Sequence, residues 1–316
     1  MSKLYLIKNP ELFQGEKKLN TNKEYFEGWY FKNTNKENGI SFIPGINIEK
    51  DNSKAFIQVI TNDSSYFVNY DINDFNFTEV PFSIQIGKNS FSKEGIHVDI
   101  NDEEQNLNIN GEIKYSDSKN INTSSINPNI MGPFSYVPFM ECNHAILSMQ
   151  NNTNGSIKIN NTVIKFDDDM GYIEKDWGCS FPKTYIWCQG NNFEKSNASF
   201  MLSIANVPFK MFNFRGMICV LLIENKEYKF TTYNNSKIVE YEVDDNFLNI
   251  TLKKNDYYLN IKSTFETGQR LSAPVKGKMD KDIFESIDST IEVTLQKNDE
   301  IIFKDTSTNC GLEIVM

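Results

Sequence analysis

Between Gly171 and Asn191 the sequence sets two acids, Glu174 and Asp176, on either side of Lys175 and just before Trp177. In an extended strand alternate side chains share a face, so Glu174 and Asp176 lie together while Lys175 points away. A carboxyl held against Trp and Ile is desolvated, which raises its pKa and keeps a proton on it near neutrality. Glu174 and Asp176 are therefore the first candidates for a general acid, and Glu27 and Glu141 the next. An adjacent cation on the same face would act the other way, and the three charges suit ordinary inter-strand ion pairs equally well. His144, one of two histidines, fits a general acid–base or a hydrogen-bond donor to a substrate oxygen. Its competing reading is a structural histidine beside a Pro-rich loop. His97, in an alternating segment, reads as a surface residue.

These groups need a wall. The segment 184–189 reads as a short strand with Tyr185, Trp187 and Gln189 on one face and Thr184, Ile186 and Cys188 on the other. A face of Tyr, Trp and Gln either packs a core or lines a cavity with polar handles. Trp29, Trp177, Trp187 and Tyr185 are candidates for lining that cavity or stabilising a cation, and core packing is the simpler role for Trp29. No metal is expected, because Cys142-Asn143-His144 is the one close Cys/His pair and lacks chelate spacing. Three consecutive acids, Asp167 to Asp169, lack the register of an EF-hand and read as a solvated turn. Neither a nucleophile elbow nor a phosphate-cradling loop is present.

Composition narrows the partners. The chain of 316 residues carries a formal charge of −10, which disfavours nucleic acid and anionic membrane surfaces. With 24 Phe and 14 Tyr, each half can bury a core of its own. No run approaches a membrane span, and no secretory segment is evident at the N-terminus, although transient membrane contact stays open. The odd count of 5 cysteines suits free thiols in a reducing compartment, so a cytoplasmic location is expected.

The dominant period from about residue 24 onward is two, interrupted by Asn, Asp, Gly and Ser clusters, as in antiparallel sheets. Residues 1–23 read as an irregular arm. Only 280–289, with Ile283, Phe284 and Ile287 at helical spacing and Asp280 able to cap, suggests a short helix. The Pro-rich apolar stretch 128–140 reads as a buried crossover or a lid. The stretch from Tyr25 to Trp29 and that from Tyr172 to Trp177 echo each other, which suggests a duplicated unit and a boundary near 165/166. The expectation is an all-β chain of two lipocalin-like antiparallel β-barrel or sandwich domains packed together, 1–165 and 166–316, with few short helices.

The stretches at 25–32, 132–144, 171–182, 185–189, 273–287 and 311–313 together resemble the tocopherol cyclase-like family. The same stretches are more distantly similar to carotenoid hydratases and Diels–Alderases with two lipocalin-like domains. The chain carries Asp176, Cys179 and Ser180 where plant members look like Asn and glycines. The resemblance implies a ligand cavity, no metal or organic cofactor, and acid-initiated ring closure of a hydrophobic prenylated or polyene substrate. Ring closure needs a proton donor, shielding of a tertiary cation and a polar grip on the ring. The proton-transfer set is then Glu174, Asp176 and His144. The binding set is Trp29, Glu27, Glu141, Lys175, Trp177, Tyr185, Trp187 and Gln189. A non-catalytic carrier of a lipid or isoprenoid is the alternative, and an aromatic-platform binding protein a third.

Overall fold

A computed structural model describes residues 2–316 apart from 20, 22, 50, 51, 139, 210, 211, 245 and 267. Phe139 of the Pro-rich stretch therefore lies outside the described residues. The chain forms two units. The first is Met1–Asn35, Ile40–Phe181 and Leu271–Asp282, and the second Lys36–Gly39, Pro182–Arg270 and Ile283–Met316. The boundary expected at 165/166 falls instead inside one continuous strand, Thr162–Gly178. That strand pairs on one side with Tyr25–Thr34 and on the other with Cys142–Ile159, so the first unit cannot end before it does.

Period two dictates the first unit. In Gly95–Asp102, Ile96, Val98 and Ile100 are buried while His97 and Asp99 are exposed, the pattern of a strand with one face on a core. Eleven strands form one antiparallel sheet whose edges are Ser65–Asp71 and Phe75–Thr78. Those edges are joined by the single turn Ile72–Asp74, so the sheet curls round into a nearly closed barrel. Asn89 Nδ2 donates to Tyr70 Oη across the seam at 3.2 Å. The interior is filled with side chains, among them Trp29, Phe31, Phe42, Phe91 and Ile173.

The second unit is built round a sheet ordered from Lys226–Thr231 through Phe212–Ile223, Ala198–Phe209, Tyr185–Gly190 and Glu300–Val315 to Lys278–Lys297. Its core includes Ile186, Cys188, Phe200, Leu202, Ile250 and Val293. Residues 280–289, expected to be helical, belong to the strand Lys278–Lys297. Ile283, Glu285 and Ile287 are buried while Phe284 is half exposed, which is a period of two. The β-branched run that follows, Thr290, Ile291, Val293 and Thr294, favours extension, and pairing with Glu300–Val315 overrides a weak helical spacing. Among the described residues the α-helix is Lys3–Lys8, inside the arm expected to be irregular, with Ser2 Oγ accepting from Tyr5 N at 3.2 Å. No helix there is long and apolar enough to cross a membrane.

The two echoing stretches are cross-strand neighbours in one barrel and do not open two separate units. Glu27 lies opposite Trp177, Trp29 opposite Lys175, and Tyr30 opposite Glu174. Inside the barrel Lys175 pairs with Glu27, both at 0% exposure, and its ammonium sits 4.7 Å from the Trp29 ring and 4.9 Å from that of Trp177. Removing one member of a buried pair strands the other in an apolar wall. Lys175→Met is expected to destabilise the chain by about 3–5 kcal/mol. In urea unfolding, Lys175→Met with Glu27→Leu should cost less than the sum of the single changes.

Candidate functional site

The strand Thr162–Gly178 separates two kinds of chemistry. Ile173 belongs to the core, Lys175 pairs with buried Glu27, and Trp177 packs against the core, which puts these three on the barrel's inner face. Tyr172, Glu174 and Asp176 therefore share the outer face. On the next strand Ala145 and Leu147 point inward, which leaves His144 and Ile146 outward, and the register sets His144 opposite Asp176 and Ile146 opposite Glu174. The Pro-rich crossover anchors this strand. Pro128 to Ile130 are buried, and Met131 Sδ accepts from His144 N at 3.1 Å.

His144 is held between two acids. Its Nδ1 lies 3.0 Å from Asp176 Oδ1 and its Nε2 lies 3.5 Å from Glu174 Oε2, with side-chain exposures of 13%, 22% and 5% for His144, Asp176 and Glu174. Tyr172 Oη donates to Glu174 Oε2 at 2.6 Å, and Ser41 Oγ donates to Tyr30 Oη at 2.9 Å. Nε2 is buried and without a hydrogen-bond partner among the described residues. Burial alone would lower the pKa of the ring, but the Glu174 and Asp176 charges and the Asp176 hydrogen bond outweigh it and raise it to about 9. At neutral pH His144 is thus an imidazolium, bonded at one nitrogen and carrying an unshared proton at the other. Burial, then Glu174, pushes the Tyr172 phenol well above its ordinary range. Burial, then Asp176, does the same to Cys142, whose Sγ lies 3.7 Å from Asp176 Oδ1 and which stays a thiol.

The ligand atoms of His144, Glu174 and Asp176 all lie within 4.8 Å of one another. Asp176 Oδ1 is already the partner of Nδ1, and Glu174 Oε2 accepts from Tyr172 Oη. Each carboxylate thus spends one oxygen on a hydrogen bond inside the cluster.

The expected site residues divide into three groups. Glu174, Asp176 and His144 come together. Glu27, Lys175, Trp29 and Trp177 lie on the inner face of the same strands, where the cation the tryptophans hold is Lys175 itself. Glu141 is exposed, and its contribution is a carbonyl that accepts from Cys179 N at 2.8 Å. Tyr185, Trp187 and Gln189 belong to the second unit, on the face of Tyr185–Gly190 turned from its core, with Tyr185 Oη donating to Glu313 Oε2 at 2.5 Å. Sequence reasoning missed Tyr172, Tyr30 and Ser41. Period two would have found Tyr172, which stands two residues before Glu174 on the same face.

A family model for tocopherol cyclase-like proteins matches residues 106–315. The chain belongs to the tocopherol cyclase-like family. Its fold is similar to that of CghA, solved with Sch210972, at 8% identity and a TM-score of 0.58, over 93% of this chain and 89% of CghA. It is similar also to an AttH-type protein from Nitrosomonas europaea, at 10% identity and a TM-score of 0.53, over 95% and 96% of the two chains. At such identities the likeness is one of fold. No curated protein matches the sequence.

The pKa of His144 makes stability depend on pH. A pKa raised from 6.5 to about 9 on folding stabilises the folded chain fully below pH 6.5 and loses that contribution as pH rises through 9. Imidazole NMR should show a His144 midpoint near 9, and His144→Gln should flatten the decline in stability between those pH values.

Proposed function

We propose that this protein is a cofactor-independent cyclase or isomerase of the tocopherol cyclase type. Membership of the family supports a catalytic, cyclase-related role. The observation that carries the finer reading is the His144 ring, bonded at Nδ1 to Asp176 and with its buried Nε2, unpartnered among the described residues, 3.5 Å from Glu174 beside Tyr172.

Ring closure on a prenylated or polyene substrate moves one proton in and one out. The acid protonates the alkene, a tertiary cation forms, and a hydroxyl oxygen of the same molecule attacks it and loses its own proton to the conjugate base. Product and substrate are isomers, and the acid is restored. The His144–Glu174 pair is the store for that proton, and either Nε2–H or a Glu174 carboxyl loaded from it can deliver it. Asp176 holds the ring in one orientation and stabilises its charge. The electron-rich faces of Tyr30 and Tyr172 suit a passing carbocation, and the Tyr172 phenol stays neutral with its one O–H on Glu174.

Incubating the purified protein with prenylated hydroquinones should yield a product of unchanged mass and shifted retention. Glu174→Gln and His144→Gln should each lower the rate by about 10²–10⁴-fold while ligand binding survives. Activity should fall as pH rises through about 9, where the imidazolium is lost. Binding without turnover across prenylquinols and polyenes would point to a carrier instead.

A further inference from the structure

Residues 9–15 cross the mouth of the first barrel, and two side chains at 0% exposure hold them there. Lys175 Nζ donates to the carbonyls of Pro10 at 2.8 Å and Leu12 at 2.7 Å besides pairing with Glu27. Glu27 accepts from Gln14 N at 2.8 Å, Gly15 N at 2.9 Å and Tyr25 Oη at 2.6 Å. An ammonium has three N–H bonds, and two of the acceptors here belong to the segment. Trp29 Nε1 donates to a third carbonyl, that of Glu11, at 2.9 Å. Side chains add the buried Leu12 and Phe13, with the Phe13 ring 5.0 Å from those of Phe75 and Phe77, and Glu11, whose Oε1 pairs with Lys93 Nζ at 3.0 Å. Gly15 is required where the chain passes closest, since a Cβ there would fall 2.6 Å from the Tyr25 ring. A buried pair that addresses carbonyls and amides recognises a peptide backbone, with one aromatic pocket setting the register.

We propose that the mouth of the first barrel is a peptide receptor loaded in cis. Lys175 and Glu27 bind residues 10–15 through backbone atoms, and this loading positions the strand segment that presents Glu174 and Asp176. The receptor stands apart from the reaction, whereas the positioning rests on the acid–base reading above. The coupling is physical. Without the segment Lys175 loses two of three acceptors and Glu27 two of its donors, inside an apolar wall. Charges left so must rehydrate or neutralise, and Lys175 cannot shift without moving the residues on either side of it.

A protease site built at Thr21 allows the folded full-length chain to be nicked so that the segment becomes a separate peptide. The nicked segment should stay bound through gel filtration. A synthetic 2–19 peptide scrambled everywhere except Pro10, Glu11, Leu12, Phe13 and Gly15 should displace it. Glu27→Gln should weaken retention at least about 30-fold. On release the ring ¹⁵N shifts of His144 should change while those of exposed His97 stay put. A segment that elutes apart from the unsubstituted body overturns the receptor, and release that leaves His144 unmoved overturns the positioning. If the body unfolds on release, the uncut Glu27→Gln chain decides. Amide exchange at Gln14 and Gly15 should be at least about tenfold faster with near-UV circular dichroism retained, and unchanged protection overturns the proposal. No readout here uses turnover, so failure of the cyclase reading would leave each of them interpretable.

Discussion

The alternation of side chains along Thr162–Gly178 is the constraint on which the rest of the first unit depends. One strand must present Ile173, Lys175 and Trp177 to a packed interior and Tyr172, Glu174 and Asp176 to the opposite face. A slip of one residue would put two carboxylates among phenylalanines and a lysine among acids. The register is therefore held twice, by hydrophobic burial and by charge. Both neighbouring strands are tuned to it, with Trp29 opposite Lys175 on one side and His144 opposite Asp176 on the other.

The two faces handle charge in different ways. Inside, one cation meets one anion, and every donor on the ammonium finds an oxygen, so the pair is electrically closed. Outside, one imidazole faces two carboxylates, and only one of the two approaches is within hydrogen-bonding distance. The first arrangement leaves the ammonium fully hydrogen-bonded, although burial still lowers the pKa of Lys175. The second pairs Nδ1 with Asp176 and leaves Nε2 without a hydrogen-bond partner among the described residues. The backbone between them keeps the buried ion pair and the outward acid–imidazole cluster one residue apart.

Much of this was legible in the residues. Period two announced the strands, and Glu174 with Asp176 on a face away from Lys175 followed from alternation alone. His144 was visible as a rare titratable group, but its partner was not. That pairing depends on a register between strands about 30 positions apart, which no local pattern encodes. The likeness between Tyr25–Trp29 and Tyr172–Trp177 was real but misread. Similar sequences can begin similar domains or lie side by side in one, and only the sheet order distinguishes these. The helix expected at 280–289 failed because three apolar residues at helical spacing are weak evidence beside a long paired strand. The arm was legible as polar but not as helical at Lys3–Lys8, and much of what holds it is hydrogen bonding to its backbone, which leaves no mark in a sequence.

The pairing of Phe26 with Gly178 also has a consequence for how the chain is made. The strand Tyr25–Thr34 can form a hairpin with Gly39–Ile48 early, but its other edge has no partner until the last residues of Thr162–Gly178 leave the ribosome. At ordinary elongation rates that is a wait of roughly 10–30 s. Through that interval an edge bearing Tyr25, Phe26, Trp29, Tyr30 and Phe31 stands open to pair with any other nascent strand. Glu27 and Lys32 are the charges on it, and both are buried in the finished fold. During synthesis, then, those two residues are the strand's own guard against aggregation, before either has its final surroundings.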